Sequence, residues 1–233
     1  MNIQSHTSSR SLEEAKRIGT GLAFILFPLI FIFAFAVHPG LFTPHRLSDT
    51  ELILRAHHNV LLAFGHAMVL FDAAILVAVT VGLMRILDRT QAAWAGFLGA
   101  VLTVVSAVAL GAEKGAECLT LSALDVLPES QFTQMMPGLL AIFSHQGWMI
   151  LVMGVLLLAV GLTTQAIALI VTGAVPRWQA VLLLGVWLMG WPDGEEIYAL
   201  VGSILLAIAL VPLGIQVIIG QRAMEHKLAA LPS

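Results

Sequence analysis

The sequence predicts an all-α, polytopic membrane protein: a bundle of six transmembrane helices with both termini in the cytoplasm. Three observations carry this expectation. Of 233 residues, 59% are hydrophobic and only 11% charged, against roughly 25% charge in soluble domains. Apolar runs recur that approach or exceed the about 20 helical residues needed to cross a hydrocarbon core. The basic residues sort onto alternate connections. Arg10, Lys16, Arg17, Arg85, Arg89, Arg177, Arg222 and Lys227 fall on one side, and Arg46, Arg55 and Lys114 on the other. By the positive-inside rule the first side is cytoplasmic.

Residues 1–17 are polar and form a cytoplasmic tail. The transmembrane domain then covers 18–221, and 222–233 form a second cytoplasmic tail. The first apolar run spans about 18–37. Ala34-Phe-Ala36 looks like a signal-peptidase site, but the run is longer than the 7–15 residues of a signal h-region, so a retained helix is expected. An outer loop follows. Ser48-Asp-Thr-Glu51 has capping-box spacing, so a second helix is expected over 51–87, long enough to project beyond the outer boundary. Arg85-Ile-Leu-Asp-Arg89 turns the chain into a third helix, about 91–122. Residues 123–137 form an outer loop with room for a short surface helix, and a fourth helix is expected over 138–173. The fifth is short, about 177–191, and stops at Trp191-Pro-Asp-Gly194. Asp193 and Glu196 again have capping spacing, which starts the sixth helix over 193–220.

A ruler of 1.5 Å per residue from each inner helix end gathers the polar residues. His38, His66, Glu113, Glu117, Glu196, Asp193, His58 and His145 fall in one band about 12 Å deep at the outer boundary. The band centres on Gly111-Ala-Glu-Lys-Gly-Ala-Glu-Cys118. Glu113 and Glu117 share a helix face, and Lys114 reaches Glu117 at i+3. Asn59 and His66, seven apart, share a face of the second helix. Gly111 and Gly115 have small-residue spacing for close helix contact. These residues outline an outward-facing recess. Asp72 is different: it lies about 21 Å up its helix, inside the hydrocarbon. A charge there is costly, so Asp72 needs neutrality or a partner; Ser106 lies at matching height.

Two chemistries use such a set. Carboxylates and imidazoles act as general acids and bases, for which Glu113, Glu117, His66, Asp193 and Glu196 are the catalytic candidates. The same donor types bind divalent transition metals, and His58, His66, Glu113, Glu117 and His145 are the candidate ligands. No His-Glu-x-x-His or Glu-x-x-His metal motif is present. A haem held by His58 and His145 is the other cofactor option.

The function expected is therefore a membrane-embedded enzyme. It performs acid–base or metal-assisted chemistry on a lipid-like or other apolar small molecule entering from membrane lipid. A small ion- or proton-coupled transporter is the alternative, with Asp72 in its path, and a haem- or quinone-binding membrane subunit the third. The net charge of −3 gives no reason to expect nucleic acid. A single cysteine, Cys118, excludes an internal disulfide. The location expected is a bacterial-type plasma (inner) membrane with the recess outward, the chain alone or as a homo-oligomer.

Overall fold

In the computed structural model, the residues described are 3–43, 47–189 and 196–229, with side chains over 11–43, 47–142, 145–189 and 196–220. Among them the chain is entirely helical: α1 (Ile3–Ala36), α2 (Asp49–Ala56), α3 (Val60–Leu87), α4 (Ala93–Leu124), α5 (Glu129–Ser144), α6 (Gln146–Thr172), α7 (Arg177–Leu182), a 3-10 turn (Leu183–Gly185), α8 (Val186–Met189) and α9 (Glu196–Ala229). Five helices are long and apolar enough to cross a membrane: α1 from Ser11, α3, α4, α6, and α9 as far as Gly220. The fifth apolar run, Arg177–Met189, is too short to count with them.

Neighbouring long helices run antiparallel. Thr20 packs by Gly82 and Ala34 by Gly65 across α1 and α3, while Leu87 meets Gly96 and Leu70 meets Gly115 across α3 and α4. α1 and α9 close the bundle, also antiparallel. Arg17 donates to the Ile218 carbonyl at one end (2.9 Å), and His38 lies beside Glu196 at the other.

Lipid offers no hydrophobic force between helices, so close backbone packing must hold them. Facing glycines provide it. A Cβ on Gly21 or Gly214 would come within 2.8 or 2.5 Å of the other's carbonyl oxygen, and one on Gly99 or Gly161 within 2.7 Å. Gly111 and Gly115, expected to mark the tight contact, face Leu70 and Ala73 at ordinary distance, 3.5 Å or more. Phe24, Phe27, Leu76, Leu162, Leu206 and Leu210 fill the centre. Phe71, Val108, Ile150 and Val171 face outward and exposed, the apolar surface that lipid contact demands. Gln165 is the buried polar tie. It accepts from the Thr80 hydroxyl (3.0 Å) and donates to the carbonyls of Thr80 (3.0 Å) and Gly96 (3.1 Å), joining α3, α4 and α6 with its amide satisfied.

Three of the expected helices are interrupted, the fifth only by the 3-10 turn Leu183–Gly185. The run 51–87 breaks at His57-His58-Asn59 because Asn59 caps a new helix, its side chain accepting from the Leu62 amide (3.0 Å). His58 takes φ +57°, the left-handed region. The run 138–173 breaks at His145, whose ψ of 153° is extended. Its first part belongs to α5, which starts at Glu129 and lies on α2, burying Phe132, Met136 and Leu139 against Ile53. The helix start at Ser48 is as expected: its hydroxyl accepts from the Glu51 amide and its amide donates to the Glu51 carboxylate. α1 begins well before residue 18 and α9 continues beyond 220 to Ala229.

Candidate functional site

α1 ends at Ala36, α3 starts at Val60, α4 ends at Leu124 and α9 starts at Glu196. Antiparallel packing brings these four ends together, and with them five of the eight residues of the band, His38, His66, Glu113, Glu117 and Glu196, together with Lys114. His66, six residues into α3, has Nδ1 3.4 Å from Glu117 Oε2. His38, just past α1, has Nδ1 3.1 Å from Glu196 Oε1. The two imidazoles face each other with ring centres 6.4 Å apart. Lys114 completes the group: its Nζ lies 2.8 Å from Glu117 and 3.3 Å from Glu113. In spatial order the groups are Glu196, His38, His66, Glu117, Lys114 and Glu113, with the two histidines as the widest step. All six side chains are largely buried, with at most 22% of each exposed.

The group borders a cavity of about 200 Å³. His38, His66, Glu113 and Lys114 form its polar wall, and Phe31, Phe35, Val69, Leu110, Val155 and Leu158 are among its apolar residues. Glu117 and Glu196 do not line it; they back the two histidines. Each carboxylate lies within ion-pair distance of an Nδ1, but neither contact has hydrogen-bond geometry, and both Nδ1 atoms are buried without a hydrogen-bond partner among the described residues. A carboxylate that bonds an imidazole nitrogen orients the ring and selects its tautomer, and here a small rotation of either side chain would complete that bond.

Gly40 shapes this wall, because a Cβ there would meet the Glu196 carboxylate at 2.5 Å. His38 sits outside the long helices, and burial holds its pKa below the usual imidazole value, the Lys114 charge adding to this and Glu196 opposing it. The unfolded chain therefore takes up this proton more readily than the folded one. The contribution to stability is complete above the unfolded pKa, about 6.5, and falls as pH drops below it. Thermal unfolding from pH 7 down to pH 5 should show His38→Gln losing less stability than the unaltered chain. Equal slopes would remove His38 from this role.

The other expected residues lie elsewhere. His58 stands with His57 and Asp125 at the α2–α3 break, and Asn59 is a cap. His145 is exposed at the start of α6 and lines a shallow apolar surface with Trp148 and Leu151. Neither His58 nor His145 lines the cavity. Asp193 is outside the described residues. Asp72 is fully buried on α3, and the expected bond to Ser106 is not formed. The Ser106 hydroxyl donates to the Val155 carbonyl instead (3.0 Å), and neither Asp72 oxygen has a hydrogen-bond partner among the described residues.

His38 stands in the band by its height, level with His66, but not among the catalytic or metal-ligand candidates. It is one of two histidines in the outer loop, with His45, and only the α1–α9 contact distinguishes it.

No protein-family model matches the chain, and neither a curated protein nor a solved structure matches it.

Proposed function

We propose that this membrane-type helical protein is an enzyme whose outward-facing recess transfers protons to and from an apolar small molecule. One observation carries the reading: two carboxylate-backed imidazoles, Glu117–His66 and Glu196–His38, face each other at one wall of an otherwise apolar cavity. Two such pairs supply what a general acid and a general base need, one proton held and one site to receive it. Lys114 adds a fixed positive charge for an oxygen that becomes negative during the reaction. The cavity is smaller than the about 300–1,000 Å³ of drug-sized sites, so the reacting end of a lipid-like molecule enters while its tail stays in the bilayer.

The metal-assisted form is not the one we adopt for this cavity. Glu113 and Glu117 already close on the Lys114 ammonium, which competes with a cation for their lone pairs.

The test is turnover of a membrane lipid extract by the protein in nanodiscs, followed by comprehensive mass analysis of products. His66→Gln and Glu117→Gln should each lower the rate of any product formed about 10²–10⁴-fold, with helical content retained. Unchanged turnover in both variants sinks the enzyme.

A proton-coupled carrier is the second reading, favoured by Asp72 alone, since a buried intramembrane acid marks proton paths in pumps and transporters. Proton-driven flux in proteoliposomes that vanishes in Asp72→Asn, without turnover, would select it.

Six crossings with both termini cytoplasmic complete the reading. The support is the antiparallel pair α1 and α9, with Arg17 and Ile218 at a common end. On this reading the chain returns across the bilayer between Thr172 and Glu196, and the short apolar segment Arg177–Met189 is the stretch available for it. In a Cys118→Ser background, single cysteines at Arg10 and Lys227 should both be labelled by an impermeant maleimide only from the cytoplasmic side. Labelling of the two from opposite sides would leave five crossings.

A further inference from the structure

We propose a second, separate site on this protein: a divalent transition-metal site, with zinc as its reference ion, formed by His57, His58 and Asp125. One candidate ligand atom from each residue lies within 4.8 Å of those of the other two. None of the three lines the cavity of the proposed enzyme site.

The backbone explains how two successive histidines converge. In a helix, consecutive side chains diverge by about 100°. Here α2 has ended, His57 is extended with ψ 126°, and His58 takes φ +57°. That left-handed step brings the two rings to a centre separation of 3.8 Å. A histidine in this region is uncommon and costs energy relative to glycine, so the position favours whatever holds it. Asp125, at the end of α4, does part of this: its Oδ1 accepts from the His58 amide at 2.9 Å. The other ring face of His57 stacks on Phe132 of α5, with ring centres 3.9 Å apart and planes 11° apart. The imidazole is thus fixed on both sides.

The ring chemistry points to a ligand. His57 Nε2 is buried and has no hydrogen-bond partner among the described residues. A buried nitrogen without a partner is costly, and a metal is a strong partner for an imidazole lone pair. Two imidazoles and a carboxylate are zinc-type donors, whereas calcium and magnesium take oxygen ligands. Zinc bonds of about 2.0–2.1 Å leave ligand atoms roughly 3.4 Å apart. The three atoms lie within 4.8 Å of one another, so the closure needed is at most about 1.4 Å, and rotation of the exposed His58 side chain and of Asp125 supplies it while His57 stays in place. With three protein ligands, a fourth position is left to water or to a further donor. Such a site would tie the break between α2 and α3 to the end of α4.

The experiment uses the full chain in detergent, stripped with a chelator and titrated with Zn²⁺ by calorimetry, with Co²⁺ absorbance as the coordination probe. One ion per chain is expected. His57→Ala, His58→Gly and Asp125→Asn should each weaken binding about tenfold or more and abolish the zinc-dependent rise in unfolding temperature. His58→Gly suits the left-handed backbone and Asp125→Asn keeps an acceptor for the His58 amide, so neither need lose the fold. His66→Gln should leave binding unchanged. Absence of binding to the unaltered chain, or binding that survives all three substitutions, overturns the site. Binding lost in His66→Gln but kept in His57→Ala also overturns it, by moving the metal to the cavity. Loss of turnover in His66→Gln with zinc affinity intact would keep both proposals, because they rest on different residues.

Discussion

Lys114→Met should cost this protein about 3–5 kcal/mol of stability, the range for breaking one partner out of a buried ion group. Lys114 is the cation held by two carboxylates, at 2.8 and 3.3 Å, and only 13–14% of either glutamate side chain is exposed. Removing the ammonium leaves two like charges one helical turn apart, a spacing at which they repel, with little water to screen them. The damage should be repaired from the other side. Adding Glu113→Gln and Glu117→Gln to Lys114→Met removes the uncompensated charges, and the triple variant should recover most of the loss, a non-additivity expected for residues in one network. Thermal unfolding of the unaltered chain, Lys114→Met, the Glu113→Gln/Glu117→Gln double variant and the triple variant in one detergent measures this. If Lys114→Met alone is as stable as the unaltered chain, the lysine does not counter the glutamates and its part in the site falls with it.

The same group shows what a sequence of this kind can disclose. Membrane helices were legible because hydrocarbon permits few alternatives: backbone groups must pair within the segment, so long apolar runs are helices. Heights along those helices were legible too, since rise per residue is fixed. That is how Glu113, Glu117, His66 and Glu196 were grouped with residues from other helices before any contact was known. Height does not give azimuth. His58 and His145 share the band but do not line the cavity, one at the α2–α3 break and one at the start of α6. Both helix breaks were hidden for a related reason. Hydropathy continues through Gly138 to Phe143 into α6, and only the packing of α5 on α2 separates them. At His57 and His58 the signal was present, in an asparagine that caps as readily as it faces a recess. The same ruler sets Asp72 inside the hydrocarbon, and it is fully buried on α3, but hydrogen-bond partners are set by side-chain direction. Ser106 turns to α6, so the expected pair is not made.

Gly161→Leu should be the most damaging substitution outside the charged group. α4 and α6 cross where Gly99 faces Gly161. A Cβ on Gly161 would collide with the Thr103 hydroxyl oxygen and come within 2.7 Å of the Gly99 carbonyl and 2.8 Å of the Thr103 amide nitrogen. Two of those three atoms are helix backbone, and the Thr103 hydroxyl is itself bonded to the Gly99 carbonyl (2.9 Å). None is the free end of a flexible chain, so the helices must separate. Overpacking of this kind costs about 1–3 kcal/mol and sometimes more, and leucine adds three further carbons to the clash. Gly19→Leu is the matched control, because nothing lies within 4 Å of its would-be Cβ, and it should unfold near the temperature of the unaltered chain. The consequence reaches the site. Within two turns of Gly161, α6 contributes Val155, Leu158 and Ala159 to the cavity, and the Ser106 hydroxyl holds the Val155 carbonyl. Pushing α6 off α4 should therefore break that bond and open the apolar wall opposite His66. Gly161→Leu should lose turnover together with stability, whereas His66→Gln should lose turnover alone. A Gly161→Leu protein that unfolds at the unaltered temperature would mean the crossing is looser than these contacts require.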